Sequence, residues 1–207
     1  GLGFYVQDQI RFSDDLILVL GGRFDIASVR AEDFLTDTSE FQQNEAFTPR
    51  VGIVYTPIEP ISLYASYSRS FQQEVGQSFD GSIFEPQRGT QYEIGLKADV
   101  TNQLSATLAL YDLTRSNLLT EDPDNPGFDI QTGEQNSQGV ELSVAGEILP
   151  GWNISTGYAY NNARITEDNT FSEGNRLNSA PENSLSLWTT YQIPEGELAG
   201  LRSILYR

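Results

Sequence analysis

The feature that most constrains this chain is an alternation of apolar and polar side chains with a period of two, repeated in segments of about ten residues. In residues 16–26, Leu16, Leu18, Leu20, Phe24 and Ile26 share one face, while Arg23 and Asp25 lie on the other. Phe47, Val51, Ile53 and Tyr55 oppose Thr48, Arg50, Gly52 and Thr56. The pattern repeats with Thr90, Tyr92, Ile94, Leu96 and Ala98 against Gln91, Glu93, Gly95, Lys97 and Asp99. It returns at Val140, Leu142, Val144 and Ile148, and again at Trp152, Ile154, Thr156, Tyr158 and Tyr160. Segments 2–12, 61–71, 104–115 and 183–193 follow it less cleanly. Such lengths match the roughly 9–11 residues of a tilted strand crossing a bilayer. Soluble sandwiches more often use strands of about 5–6 residues.

The connections alternate too. Short turns are expected at Ser13–Asp15, Pro57–Pro60, Val100–Gln103, Leu149–Gly151 and Pro194–Gly196. Between them lie four long polar connections, residues 31–46, 72–86, 117–136 and 165–182. Long structureless loops are uncommon in compact soluble domains. Short turns at one end and long loops at the other are the layout of an outer-membrane barrel. Aromatic residues cluster at both ends of the strands: Tyr55, Trp152 and Tyr191 towards the short turns, and Phe47, Tyr67, Phe71 and Tyr160 towards the long loops. Two such belts are what membrane interfaces select. Asp8 and Asp112 fit badly, because both fall on the apolar face; a bulge or a place near the interface would repair either.

Charge is unevenly placed. The four long connections hold seventeen carboxylates against one base, Arg176, and so carry sixteen of the seventeen net negative charges. Exposed loops gain solubility from such charge, and a mouth so lined concentrates cations. Arg30, Arg69, Arg88 and Arg164 instead sit where strands meet loops, on the outward side if the alternation is kept. Guanidinium groups at that height suit bidentate contact with lipopolysaccharide phosphates, or ordinary snorkelling.

Composition removes several functions. Without cysteine, histidine or methionine the chain has no disulfide, no thiolate or imidazole metal site and no histidine-dependent triad. The net charge of −17 argues against nucleic acid as a partner. Asp122-Pro123-Asp124-Asn125-Pro126-Gly127 opens like a calcium loop, but Pro126 takes a ligand position and Gly133 replaces the bidentate Glu, so a turn is the simpler reading. Glu93, Lys97, Asp99, Glu141 and Glu147 alternate into a polar lumen, where charges are normal lining. No catalytic residue and no cofactor is expected. Gly1-Leu2-Gly3-Phe4 and Ser203–Arg207 both read as strand, as in a piece of a longer chain.

An ordered set of short motifs resembles the TonB-dependent siderophore receptors, with the flavour of the ferrichrome (hydroxamate) branch. It comprises Leu20–Asp25, Phe47–Gly52, Leu63–Phe71, Gln91–Lys97, Gly133–Leu142 and Ala180–Thr189. The resemblance implies an all-β fold, an antiparallel transmembrane barrel of about 22 strands with a plugged lumen. Residues 1–207 would supply about nine to ten of those strands, without the plug domain, the N-terminal TonB box or the barrel-closing strands. It further implies an outer-membrane receptor for a ferric siderophore, energised by TonB through the missing N-terminal region. By the same resemblance, loop aromatics contact the ligand; Phe79, Phe84, Phe128 and Phe171 are the candidates, with packing against neighbouring loops as the other reading of each. A passive porin shares the alternation and loop asymmetry, and a soluble sandwich or adhesin shares the strands.

Overall fold

The computed structural model describes residues 1–33, 38–178 and 180–192. Nine strands follow one another: β1 (Leu2–Arg11), β2 (Leu16–Asp33), β3 (Thr38–Ile58), β4 (Ile61–Gln72), β5 (Gln87–Asp99), β6 (Leu104–Glu121), β7 (Asp129–Leu149), β8 (Trp152–Glu167) and β9 (Asn183–Tyr191). Each pairs antiparallel with the next, giving one open meander in sequence order. The turns at 12–15, Glu59-Pro60, 100–103 and Pro150-Gly151 fall where turn residues cluster. The expected turn at Pro194–Gly196 and the strand beginning near Ser203 lie outside the described residues.

Register turns the alternation into two surfaces, because paired residues share a face. Leu20, Val51, Tyr67 and Tyr92 stand side by side across β2 to β5. The opposite face carries Gly52, Ser66, Glu93, Tyr111, Gly139 and Asn161 in one row. Ile53, Ile94, Leu108, Leu110, Leu142 and Leu187 remain exposed on the first face. The buried apolar side chains among the described residues are Phe84, Pro86, Ala109, Ala163 and Ile165. An apolar band this broad has no protein core to fill, so lipid is its counterpart. Tyr55 sits by Leu63, and Trp152 by Tyr191, at the short-turn edge. Near the other edge the Tyr67 and Tyr92 rings meet at 5.2 Å.

Two of the expected loops are largely strand. Residues 31–46 belong to β2 and β3 except for the connection after Asp33, and 117–136 form the upper parts of β6 and β7 around a tip at 122–128. β8 likewise runs on to Glu167. A strand of 21 residues such as β7 spans about 70 Å at roughly 3.3 Å per residue. Crossing an apolar layer of about 30 Å at a 45° tilt uses only about 13 of them. The remainder forms ribbons above the bilayer. With water on both faces they need no apolar stripe, so period two leaves no trace in their sequence.

On the inner face, rings lie over glycines. A Cβ at Gly95 would be 2.4 Å from Cζ of Tyr64, and one at Gly139 would be 2.5 Å from Oη of Tyr111 and 2.4 Å from the Tyr160 carbonyl oxygen. Each tyrosine pairs directly with its glycine across the ladder. The absent side chain gives the ring its seat, a device that pins register in curved sheets.

Candidate functional site

The mouth is built from the connection after β4, the tip of the β6–β7 ribbon and the connection after β8. Residues 73–86 fold back on themselves through the bridge between Gln77 and Ile83. The Asp80 carboxylate closes the bend, accepting from Ser78 Oγ at 2.6 Å and from the Ser82 amide at 2.9 Å. These donors, the Ser78 hydroxyl first, pull its pKa down to about 2. Phe84 turns inward and is 7% exposed, its ring filling the space beside Gly76. Gln42 of β3 is buried and holds this fold from beneath, donating to the carbonyls of Glu74 at 3.0 Å and Phe84 at 2.8 Å.

The ribbon tip is closed by Asp122, whose carboxylate accepts from the amides of Asp124 and Asn125 and from Asn125 Nδ2. Those bonds, the Asn125 side chain first, lower its pKa. The carboxylate of the calcium-like run thus closes a turn. Here Phe128 meets Phe79 of the neighbouring loop edge to face, with ring centroids 5.1 Å apart. Gln131 locks the two together. Its Oε1 accepts from the Glu85 amide and its Nε2 donates to the Glu85 carbonyl, both at 2.6 Å. Asn169, after β8, donates to Thr120, Thr132 and the Glu121 carbonyl, joining the third loop to the ribbon.

Of the four phenylalanines expected at the ligand, Phe79 and Phe128 are brought into contact and remain 58% and 44% exposed. Phe171 is exposed on the third loop and outside that pair. Phe84 follows the packing alternative, buried inside its own loop beside Gly76. No single-residue signal marked the latch residues Gln42, Gln131 and Asn169. They are amides in polar segments, and only pairing distinguishes them.

The four arginines expected at the outer rim lie on the apolar face by register: Arg30 opposite Phe41, Arg69 opposite Thr90, Arg88 opposite Phe71 and Arg164 opposite Asn136. All four are exposed. The misplaced Asp112 stays on this face as well. The ladder runs through it without a bulge. Its oxygens instead accept from Asn136 Nδ2 at 2.7 Å and Gln138 Nε2 at 2.8 Å. Asp8 also keeps its register against Leu20, so no bulge relieves it.

On the inner wall Tyr64 Oη donates to Glu93 at 2.7 Å, and Gln91 donates to the other Glu93 oxygen at 3.0 Å. Glu141 lines the same hollow. The hollow is open and the Glu93 carboxylate is hydrogen-bonded by neutral donors, an arrangement that suits a wall rather than acid–base chemistry.

Residues 1–206 match the family model described as TonB dependent receptor-like, beta-barrel. The chain belongs to that family. The metal-pseudopaline receptor of Pseudomonas aeruginosa is 37% identical over 202 residues, covering 94% of this chain and 28% of the relative. The ferrichrome outer membrane transporter/phage receptor of Escherichia coli is 34% identical over 200 residues, covering 96% and 26%. A siderophore receptor from Acinetobacter baumannii superposes with a TM-score of 0.80 at 26% identity, covering 93% of this chain and 31% of that one. The chain therefore spans about a quarter of the length of the curated relatives it matches. Its nine strands are part of the wall of a TonB-dependent receptor barrel in the outer membrane. The family is one of receptors and transporters, and its barrel fold is not that of a soluble sandwich.

Proposed function

We propose that the full-length protein takes up a ferric siderophore across the outer membrane, energised by TonB acting on segments beyond this chain. The observation that carries the proposal is the family match along 1–206, in company with relatives named as siderophore receptors. In this reading the plug domain fills the lumen against the wall of Tyr64, Glu93 and Glu141. The exposed edge-to-face pair Phe79–Phe128, with Phe171 on the adjoining loop, supplies aromatic contacts to the chelate. Arg30, Arg69, Arg88 and Arg164 face lipopolysaccharide phosphates at the rim. The iron is cargo, and no resident cofactor is called for.

The test is uptake of radiolabelled iron on a panel of hydroxamate and mixed-ligand siderophores by receptor-null cells carrying the full-length gene. Saturable uptake that vanishes when TonB is deleted supports the proposal. Uptake that is unsaturable and indifferent to TonB overturns it in favour of a pore. A metal–pseudopaline complex belongs in the same panel, because the relative at 37% identity is named for it.

A further inference from the structure

The wall is split between β3 and β4. Their ladder ends, towards the loops, at Arg50 opposite Ser68. Above that point β3 pairs with β2 alone as far as Thr38, and β4 pairs with β5 alone as far as Gln72. The split begins beside Pro49, which has no amide hydrogen to give a neighbour and so marks the end of a ladder. Overhead, Gln42 of β3 donates to the carbonyls of Glu74 and Phe84 and closes the gap. What remains is a framed slot of about 220 Å3, lined by residues 45–48 of β3 and 69–71 of β4. Neighbouring residues of a strand point to opposite faces, so a lining of consecutive residues passes from the lumen side to the lipid side. Two glycines keep the slot clear. Phe47 leans away over Gly22 of β2, where a Cβ would lie 3.0 Å from its ring, and Ser70 leans away over Gly89 of β5. Below the slot on the outer face, Tyr67 leans towards Tyr92, with ring centroids 5.2 Å apart, and Val51 stays 39% exposed. Beneath Val51 lies an apolar hollow of about 310 Å3, floored by Ala65 between Ile53 and Ile94.

We propose that the slot admits the acyl tail of an amphiphilic ferric chelate, whose iron-binding head stays in the lumen while the tail passes between β3 and β4 into the outer leaflet. The inference rests on the transport reading above and deepens it by naming the class of chelate. Size decides which part of the chelate enters. Pockets for whole small molecules run to about 300–1,000 Å3, so a slot of about 220 Å3 takes a single unbranched chain and not the head. The surroundings suit a chain that runs outward and then down. Phe47 and Phe71 stand at the outer end, and Val51 and the hollow over Ala65 continue the apolar path towards the middle of the membrane. The unpaired strand edges lie at the height of the aromatic belt, where water reaches their backbone groups, so the slot stands without being filled. Each methylene that leaves water for this path adds to affinity. A chelate with a tail is thereby held at the wall with its head presented to the lumen, and one without a tail gains nothing there.

The experiment uses the full-length protein in mild detergent and a ferric trihydroxamate carrying a linear dodecanoyl tail with a diazirine near its end. After illumination, adducts are mapped by peptide mass spectrometry. They should concentrate on residues 45–53 and 63–71. Gly22→Leu pushes the Phe47 ring off its seat and into the slot, and Ser70→Trp fills it from the lumen side. Each should lower those adducts about tenfold, the worth of roughly two methylenes withdrawn from apolar surroundings. Adding Phe47→Ala to Gly22→Leu should restore them, which a merely misfolded barrel would not do, and heat-modifiable gel migration checks folding of every variant. Adducts spread evenly around the barrel, or undiminished in the folded Gly22→Leu and Ser70→Trp proteins, would overturn the slot. Iron uptake from the tailed chelate and from its untailed parent is read in cells carrying the wild type, and the tailed chelate should half-saturate uptake at the lower concentration. Equal concentrations for the two would overturn the preference for a tail. Uptake of neither strikes the transport reading alone, and the adduct map then decides the slot by itself.

Discussion

Replacing Gly95 or Gly139 by alanine should destabilise the barrel by different amounts, for a reason visible in what the new methyl group would strike. At Gly95 the methyl meets the Tyr64 ring at 2.4 Å. That ring is the end of a side chain and can swing, at the loss of its 2.7 Å bond to Glu93. Overpacking of this kind costs about 1–3 kcal/mol. At Gly139 the methyl meets the Tyr160 carbonyl oxygen at 2.4 Å as well as the Tyr111 ring. The carbonyl belongs to the β7–β8 ladder and cannot move without opening it, so the cost should reach about 3 kcal/mol or more, some two powers of ten in the folding equilibrium. The backgrounds separate the two cases. With Tyr64→Ala already present, Gly95→Ala should add less than about 0.5 kcal/mol, since its obstacle is gone. With Tyr111→Ala present, Gly139→Ala should keep most of its cost. Denaturant titration of the full-length protein refolded in detergent measures all six variants, followed by tryptophan fluorescence. If the two glycine substitutions cost the same and neither depends on its tyrosine, the rings are not seated on these glycines.

Gly146 has a φ of 138° and a Cβ there would lie 1.9 Å from the Gln103 carbonyl oxygen; Gly146→Ala should reduce the folded yield more than Gly95→Ala, read by heat-modifiable migration. Gln131→Ala removes both bonds to the Glu85 backbone, so hydrogen exchange at the Glu85 amide should accelerate about 5- to 100-fold, the equivalent of one or two hydrogen bonds. Asp80 has its folded pKa lowered from 3.8 to about 2, so its contribution to loop order is complete above pH 3.8 and lost as pH falls through about 2. Asp122 is shifted the same way. Exchange at the Ser82 amide should rise on acidification through that window, and Asp80→Asn should abolish the dependence; exchange at the Asn125 amide should also rise as pH falls below the ordinary aspartate range. Phe79→Ala and Phe128→Ala should each weaken siderophore binding, and a double-mutant cycle should find them coupled by about 0.5–1.5 kcal/mol; additive losses would mean the pair does not act together.

What the sequence made legible was the part of the wall in contact with lipid. Thr90 to Ala98 and Trp152 to Tyr160 alternate because one side meets hydrocarbon and the other the lumen, and the ladders place them as expected. Above the bilayer that contrast disappears. The ribbon around Glu40 to Glu45 is strand by backbone pairing alone, and its polar residues read as loop. Asp112 is a misfit on the apolar face in the sequence, repaired there by a bulge or a place near the interface, because a single sequence does not show which amides stand beside it across the ladder. Asn136 and Gln138 are 24 and 26 residues away in the chain. Phe84 read as a ligand contact because a phenylalanine in a polar loop has no visible cover; its cover is the loop's own fold over Gln42. The latch formed by Gln131 was silent for the same reason.

The most direct test of the account is a nitroxide scan along β6, from Ser105 to Leu113, in the full-length protein reconstituted into bilayers. This chain contains no cysteine, so each introduced label in it is unique. Accessibility to oxygen should peak at Ala106, Leu108 and Leu110 and fall at Ser105, Thr107, Ala109 and Tyr111, with a period of two along the strand. A flat profile, or one in which the second set meets lipid, would contradict the assignment of this sheet as the wall of a barrel.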